Sequence, residues 1–114
     1  MGADLQSTAT PADTLAMILA AIGELESEAM VAKRGTRPPT VAGVQQRLEQ
    51  FDVHLERARI VETLQVAIGD LGLATGVSAV DEAGQPDLRS LHVTMSGVRW
   101  LRDAIRRQHR IEPG

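Results

Sequence analysis

The chain has 114 residues, no cysteine, one Trp and one Phe, and its 12 Lys and Arg residues stand against 15 Asp and Glu residues. This length predicts a single domain, and 43% hydrophobic with 24% charged residues is typical of a chain that folds. The lack of cysteine excludes disulfide scaffolds, thiolate zinc sites, cysteine-held iron–sulfur clusters and a cysteine nucleophile.

The sequence contains neither a membrane span nor a secretion signal that we can identify. No window reaches the 18 or so uninterrupted apolar residues of a span, and the first ten residues carry Asp4 but no Lys or Arg. We therefore expect a cytoplasmic protein without membrane contacts. The predominance of Arg over Lys is typical of a GC-rich bacterial genome. The net charge of −3 disfavours a protein that binds nucleic acid over its whole surface, although it leaves room for a local basic patch.

The first predicted helix covers residues 11–34 and follows a flexible terminus over residues 1–9. Thr10 and Pro11 form a helix start, because Thr caps the free N–H groups and Pro needs no partner at the first helical position. Apolar residues then recur every three or four positions, which predicts one apolar stripe: Leu15, Ile18, Ile22, Leu25 and Ala29. Lys33, Arg34 and Gly35 are typical of a helix end.

The second predicted helix covers residues 40–72, about 48 Å at 1.5 Å per residue. Thr40 caps it, and its stripe has the spacing of a coiled-coil seam: Val41, Val44, Leu48, Phe51, Leu55, Ala58, Val61, Leu64, Ile68 and Leu71. Val53, Ile60 and Val66 lie off this stripe. A helix that is apolar on several sides is typically the central one, or it meets a second copy of itself.

Two interpretations stay open for the region that follows. A period of three and four over Leu88, Leu91, Met95, Val98, Leu101 and Ile105 predicts a third helix over residues 87–110. The alternation of Leu91, Val93 and Met95 with polar residues instead predicts a hairpin turning at residues 82–85, with Ser96 capping a shorter helix. We favour the long helix, because six periodic positions outweigh three alternating ones.

These elements together predict an all-α fold: a three-helix antiparallel bundle over residues 10–114, with a long central helix, a coiled-coil-like seam and dimerisation through that helix. The helix boundaries expected are about 11–34, 40–72 and 87–110.

The third helix carries the strongest candidate for a binding surface. Arg99, Arg102, Arg106 and Arg110 project within about 80° of one another, whereas Val98, Leu101 and Ile105 occupy the opposite half with Trp100 at its edge. Guanidinium groups present planar donor forks that suit carboxylates and phosphates. Acids of the first helix, Glu24, Glu26 and Glu28, are the alternative partners within the fold.

No residue pattern indicates an enzyme. The sequence has no Glu-x-x-His pair, no Gly-x-Ser-x-Gly turn and no phosphate-binding loop, so we assign no catalytic, cofactor or metal site. We predict a non-enzymatic protein–protein interaction module: an adaptor, small chaperone or assembly component that binds a protein partner, a second copy, or both. The predicted partner-binding residues are Arg99, Trp100, Arg102, Arg106, Arg110, Val53 and Ile60. The alternative is a nucleic-acid-binding regulator that uses the arginines of the last helix.

Overall fold

The computed structural model describes residues 11–32 and 38–111, with the side chains of 11, 31, 32 and 108–111 left undescribed. It contains four α-helices and a two-stranded antiparallel sheet in the order α1 (Pro11–Ala32), α2 (Val41–Gln50), α3 (Arg57–Gly69), β1 (Ala74–Val80), β2 (Pro86–Val93) and α4 (Met95–Ile111). The predicted all-α bundle is therefore wrong, and the fold is α+β. The predicted terminus at 1–9, the Thr10 cap and the helix end at 33–35 lie outside the described residues.

The first predicted helix is confirmed over the described part of its range, and its apolar stripe supplies the centre of the core. Ile18 and Ile22 are fully buried in a large cluster with α2, α3 and β2. Leu15 and Leu19 lie in a second, smaller cluster with Ala67, Leu73 and Ala74. Because α1 contributes to both clusters, every other element packs directly or indirectly on this helix.

The predicted continuous helix over residues 40–72 is wrong, because the chain breaks it between Gln50 and Arg57. Asp52 adopts a left-handed conformation with φ of 64°. Its N–H donates to the carbonyl of Glu49 at 3.0 Å, and the N–H of Val53 donates to the carbonyl of Leu48 at 2.9 Å. This pair of hydrogen bonds is the Schellman ending of a helix, which satisfies carbonyls that the next turn would otherwise satisfy.

The break explains why the second predicted helix had apolar residues on several sides. α3 starts a new stripe in a new direction, and its buried residues are Ile60, Val61, Leu64 and Ala67. Ile60 lay off the predicted seam but is fully buried in the larger cluster. The apolar residues of the predicted seam thus pack largely within one chain, and the described residues 40–72 form no continuous coiled-coil helix that could dimerise.

The predicted helix over residues 87–110 is wrong in its first part, because residues 86–93 form a strand and the helix begins at Met95. The alternative interpretation, a hairpin, is the observed structure between residues 74 and 93. Its loop is closed by Asp81, whose carboxylate accepts hydrogen bonds from the N–H groups of Ala83 at 2.9 Å and Gln85 at 2.8 Å. Gly84 occupies a position with φ of +81°, which few other residues adopt without strain. The sequence Asp-Glu-Ala-Gly-Gln therefore suits this turn: Asp81 supplies the carboxylate that accepts the hydrogen bonds, and Gly84 supplies the left-handed backbone position.

A bulge in β2 accounts for the misleading helical period. Ser90 has a φ of 55°, and the register shifts between Thr75 and Val77 on the facing strand. In a regular strand, side chains three positions apart point to opposite faces. The extra residue at the bulge turns Leu88 and Leu91 toward the same core, where they are 3% and 1% exposed. The spacing of three between Leu88 and Leu91 therefore results from a bulged strand and not from a helical turn.

An ion pair joins α3 to the hairpin. Nη2 of Arg57 lies 3.2 Å from Oδ2 of Asp87, a carboxylate that is almost completely buried. Nη1 of the same guanidinium lies 4.0 Å from Asp81, at the hairpin turn. Because a buried carboxylate needs a partner, this contact holds the outer end of the hairpin against the start of α3.

Candidate interaction surface

α4 is anchored to the rest of the protein mainly through its first two turns. The N–H of Gly97 donates to Oγ1 of Thr94 at 3.1 Å, and that hydroxyl donates to the carbonyl of Gly72 at 2.8 Å. Thr94 is thus the cap of this helix, whereas the hairpin interpretation assigned the cap to Ser96. Trp100 and Leu101 then pack against the smaller core cluster. These contacts fix which side of α4 faces inward.

The opposite side of α4 carries an arginine ridge, which we define as Arg99, Arg102 and Arg106. All three side chains are exposed. Their projections centre directly opposite the inward-facing Gly97 and Ala104. Arg110 continues the same line in the sequence, but its side chain lies outside the described residues. The helical backbone of α4 therefore places Arg99, Arg102 and Arg106 on one face, as the sequence predicts.

The acids of α1 do not neutralise the arginine ridge. Glu24 and Glu28 both pair with Arg47 of α2; Nη1 of Arg47 lies 3.5 Å from Glu24, and Nη2 contacts Glu28 directly. The hydrogen bond to Glu28, together with the negative charges of both carboxylates, raises the pKa of Arg47 above its ordinary value despite partial desolvation. Glu24 and Glu28 thus form their ion pairs with Arg47 and not with the arginines of α4.

The third acid of α1, Glu26, is also engaged elsewhere. Its Oε2 lies 2.9 Å from Nδ1 of His92, and its Oε1 accepts a hydrogen bond from the N–H of Val93 at 3.1 Å. Glu26 thereby links α1 to the end of β2. Within residues 11–32 and 38–111, no carboxylate forms an ion pair with an arginine of the ridge.

An apolar flank runs beside the arginine ridge, and the sequence pattern had predicted it to be part of the core. Val98 and Ile105 are 40% and 46% exposed, although the predicted bundle would have buried both. The reason is the broken second helix: α4 packs mainly on α1 and β2, and none of the described helices covers its other side. The outer side of α4 therefore combines guanidinium groups with adjacent aliphatic side chains.

The charge of the chain is unevenly distributed. The sequence of α4 contains five arginines and one aspartate, which gives it a formal charge of +4, whereas the whole chain carries −3. The remainder consequently carries −7. A helix with this excess attracts acidic surfaces and repels basic ones over roughly the Debye length, about 8 Å at physiological ionic strength.

Trp100 lies at the border between the core and a surface groove of about 470 Å³. The apolar lining of this groove comes from Leu15, Val66, Leu71 and Trp100, with Arg59 and Glu62 beside them. Trp100 is half-buried, so the structure places it on the inward flank of α4 rather than on the arginine ridge.

The other two predicted partner-binding residues do not lie on this surface. Ile60 is fully buried, and Val53 is half-buried against the larger core cluster. The prediction for both residues depends on their position off a continuous helical seam, and the break at residues 51–56 shows that this seam does not exist.

The described residues contain no group of three or more His, Cys, Asp and Glu side chains arranged to hold a metal ion. None of the described helices combines the length and the hydropathy needed to cross a membrane. No protein-family model, curated protein or solved structure matches this chain. Among the described residues, the outer side of α4 brings three exposed arginines beside two exposed aliphatic side chains.

Proposed function

We propose that this protein is a non-enzymatic interaction module that binds an acidic protein partner through the outer side of α4. The observation that carries the proposal is the arginine ridge: three exposed guanidinium groups on one helix face with no ion-pair partner among the described residues. A role as adaptor, small chaperone or assembly component requires such a surface and no catalytic group.

The chemistry of this side of α4 specifies the kind of partner. Arg99, Arg102 and Arg106 recur every three or four residues, so carboxylates spaced one helical turn apart on a second helix match them. The exposed side chains of Val98 and Ile105 offer an apolar strip alongside. An amphipathic helix with acidic residues on one face and aliphatic residues on the neighbouring face satisfies both requirements.

A titration with a defined peptide tests this proposal. The probe is a synthetic amphipathic helix with Glu at every third or fourth position and Leu on the adjacent face, compared with a scrambled peptide of the same composition. Because Trp100 lies on the inward flank of α4, binding is followed by the fluorescence anisotropy of a dye attached to the peptide. We expect saturable binding of the patterned peptide, weaker at high salt because exposed charges are screened.

Matched charge variants identify the surface involved. Arg102→Gln with Arg106→Gln should weaken peptide binding about tenfold, because two interfacial ion pairs contribute about 1 to 2 kcal/mol together. Arg59→Gln with Arg89→Gln removes the same charge from exposed arginines elsewhere and should leave the affinity nearly unchanged. Equal losses in both double variants would overturn the proposal. So would tighter binding of a duplex DNA than of the peptide, since that result supports a nucleic-acid-binding regulator.

A further inference from the structure

The two edges of the small sheet differ in what covers them. The outer edge of β2 is occupied at two points: the N–H of Leu91 donates to the carbonyl of Pro39 at 3.0 Å, and the N–H of Val93 donates to Glu26. In the described part of the chain, β1 pairs with β2 alone. The other edge of β1 therefore presents free backbone donors and acceptors along a strand of seven residues.

This open edge lacks the features that usually keep edge strands apart. β1 reads Ala-Thr-Gly-Val-Ser-Ala-Val, without a charged residue and without proline. Val77 and Val80 are 59% and 63% exposed, although valine in a strand is normally at least half covered. Proteins commonly protect such edges with lysine, proline or a covering loop. An uncharged, valine-bearing edge is instead typical of a strand that pairs with another strand.

We propose that β1 pairs antiparallel with β1 of a second copy of this chain, which joins the two hairpins into one four-stranded sheet. The pairing is isologous, because the same seven residues form both halves of the interface. Since β1 carries no charge, self-pairing opposes no like charges across the new ladder.

Charge complementarity at the ends of the strand favours a second copy as the occupant. Antiparallel pairing brings the hairpin turn of one copy, with exposed Glu82, beside the start of β1 in the other copy. That start is joined to the first turn of α4, because the N–H of Thr94 donates to the carbonyl of Leu73 at 3.0 Å. The first turn of α4 contains no acidic residue of its own. Glu82 of one copy thus approaches the positive end of a helix in the other.

Light scattering over a range of concentrations tests the dimer. The wild-type chain should move toward twice its mass of 12.3 kDa as concentration rises. Val77→Lys places a charge on the open edge and should raise the dimer dissociation constant by at least about tenfold. Val66→Lys is the matched control, since Val66 is 46% exposed on α3, outside β1. Circular dichroism checks that both variants are folded.

Hydrogen exchange on the unmodified chain gives a second readout that needs no variant. Amides of β1 should exchange more slowly at high than at low protein concentration, whereas those of β2 should not change. A monomer at all concentrations up to about 1 mM would overturn the proposal. A dimer equally sensitive to Val66→Lys, or one disrupted by Arg102→Gln with Arg106→Gln instead, would overturn it as well and would place self-association on another surface.

Discussion

Gly97 is the position where the packing of α4 can be tested most sharply. A Cβ atom added at this residue would lie 2.0 Å from the carbonyl oxygen of Leu73 and 2.7 Å from Cγ1 of Val93. The first neighbour is backbone, and its position is fixed by the hydrogen bond from Thr94. Gly97→Ala therefore forces the start of α4 away from the hairpin, so the helix loses its cap and the packing of Trp100.

The sign of the change in unfolding free energy distinguishes Gly97 from an ordinary glycine within a helix. In an exposed helix interior, Gly→Ala stabilises a protein by about 1 kcal/mol. Overpacking that forces side chains or backbone to shift costs about 1 to 3 kcal/mol, and a contact of 2.0 Å with a backbone atom belongs at the upper end of that range, so the net loss after the helix-propensity gain is about 1 to 2 kcal/mol. For a chain of this size that loss lowers Tm by about 4 °C or more.

Gly23→Ala is the control, because a Cβ atom added at this helical position in α1 would have no atom within 4 Å apart from its chain neighbours and the backbone of its own helix. We expect this variant to melt at or above the wild-type temperature. Thermal and urea unfolding followed by circular dichroism measure both variants. If Gly97→Ala were as stable as Gly23→Ala, the close approach of α4 to Leu73 would be wrong.

Three further substitutions test other contacts by the same unfolding measurements. Asp52→Gly should stabilise the protein by up to about 1 kcal/mol, because glycine adopts the left-handed conformation without strain; a continuous helix would instead lose about that amount. Thr94→Ala should cost about 1 kcal/mol through loss of the cap of α4. Asp87→Asn should cost about 1 to 3 kcal/mol, because Arg57 loses its buried charged partner.

Control substitutions for Thr94→Ala and Asp87→Asn identify which interaction is responsible for the loss of stability. Thr94→Ser keeps the hydroxyl and should recover most of the stability lost in Thr94→Ala. Asp70→Asn removes the same charge as Asp87→Asn from an exposed position and should change stability by less than about 0.5 kcal/mol. Equal effects at Asp70 and Asp87 would show that net charge, rather than the ion pair with Arg57, determines the stability.

The sequence predicted α1 and the arginine face of α4 because both depend on one strong helical period. The prediction of a continuous second helix failed at Asp52. The residue that ends a helix in the left-handed conformation is usually glycine, and here it is aspartate. The apolar spacing of α2 happens to continue into α3, so no change in period marks the break. Only the hydrogen bonds from Asp52 and Val53 reveal that the helix ends there.

The hairpin was visible in the sequence but was outweighed by a coincidence of spacing. Leu88 and Leu91 lie three residues apart and are both buried, which imitates one turn of a helix. The bulge at Ser90 produces that arrangement within a strand, and no residue pattern identifies a bulge in advance. The sequence did not predict the exposed flank formed by Val98 and Ile105, because the predicted three-helix bundle would have covered both side chains with another helix.

A residue-by-residue map of the peptide-binding surface would decide whether the outer side of α4 is the interaction site. Nuclear magnetic resonance spectra of the labelled protein, recorded during a titration with the patterned acidic peptide, report which amides and methyl groups are affected. We expect the shifts to concentrate on the arginine ridge and on Val98 and Ile105, while the open edge of β1 changes little. Shifts concentrated in the groove beside Leu71 and Val66, or spread evenly over the chain, would contradict the proposed function.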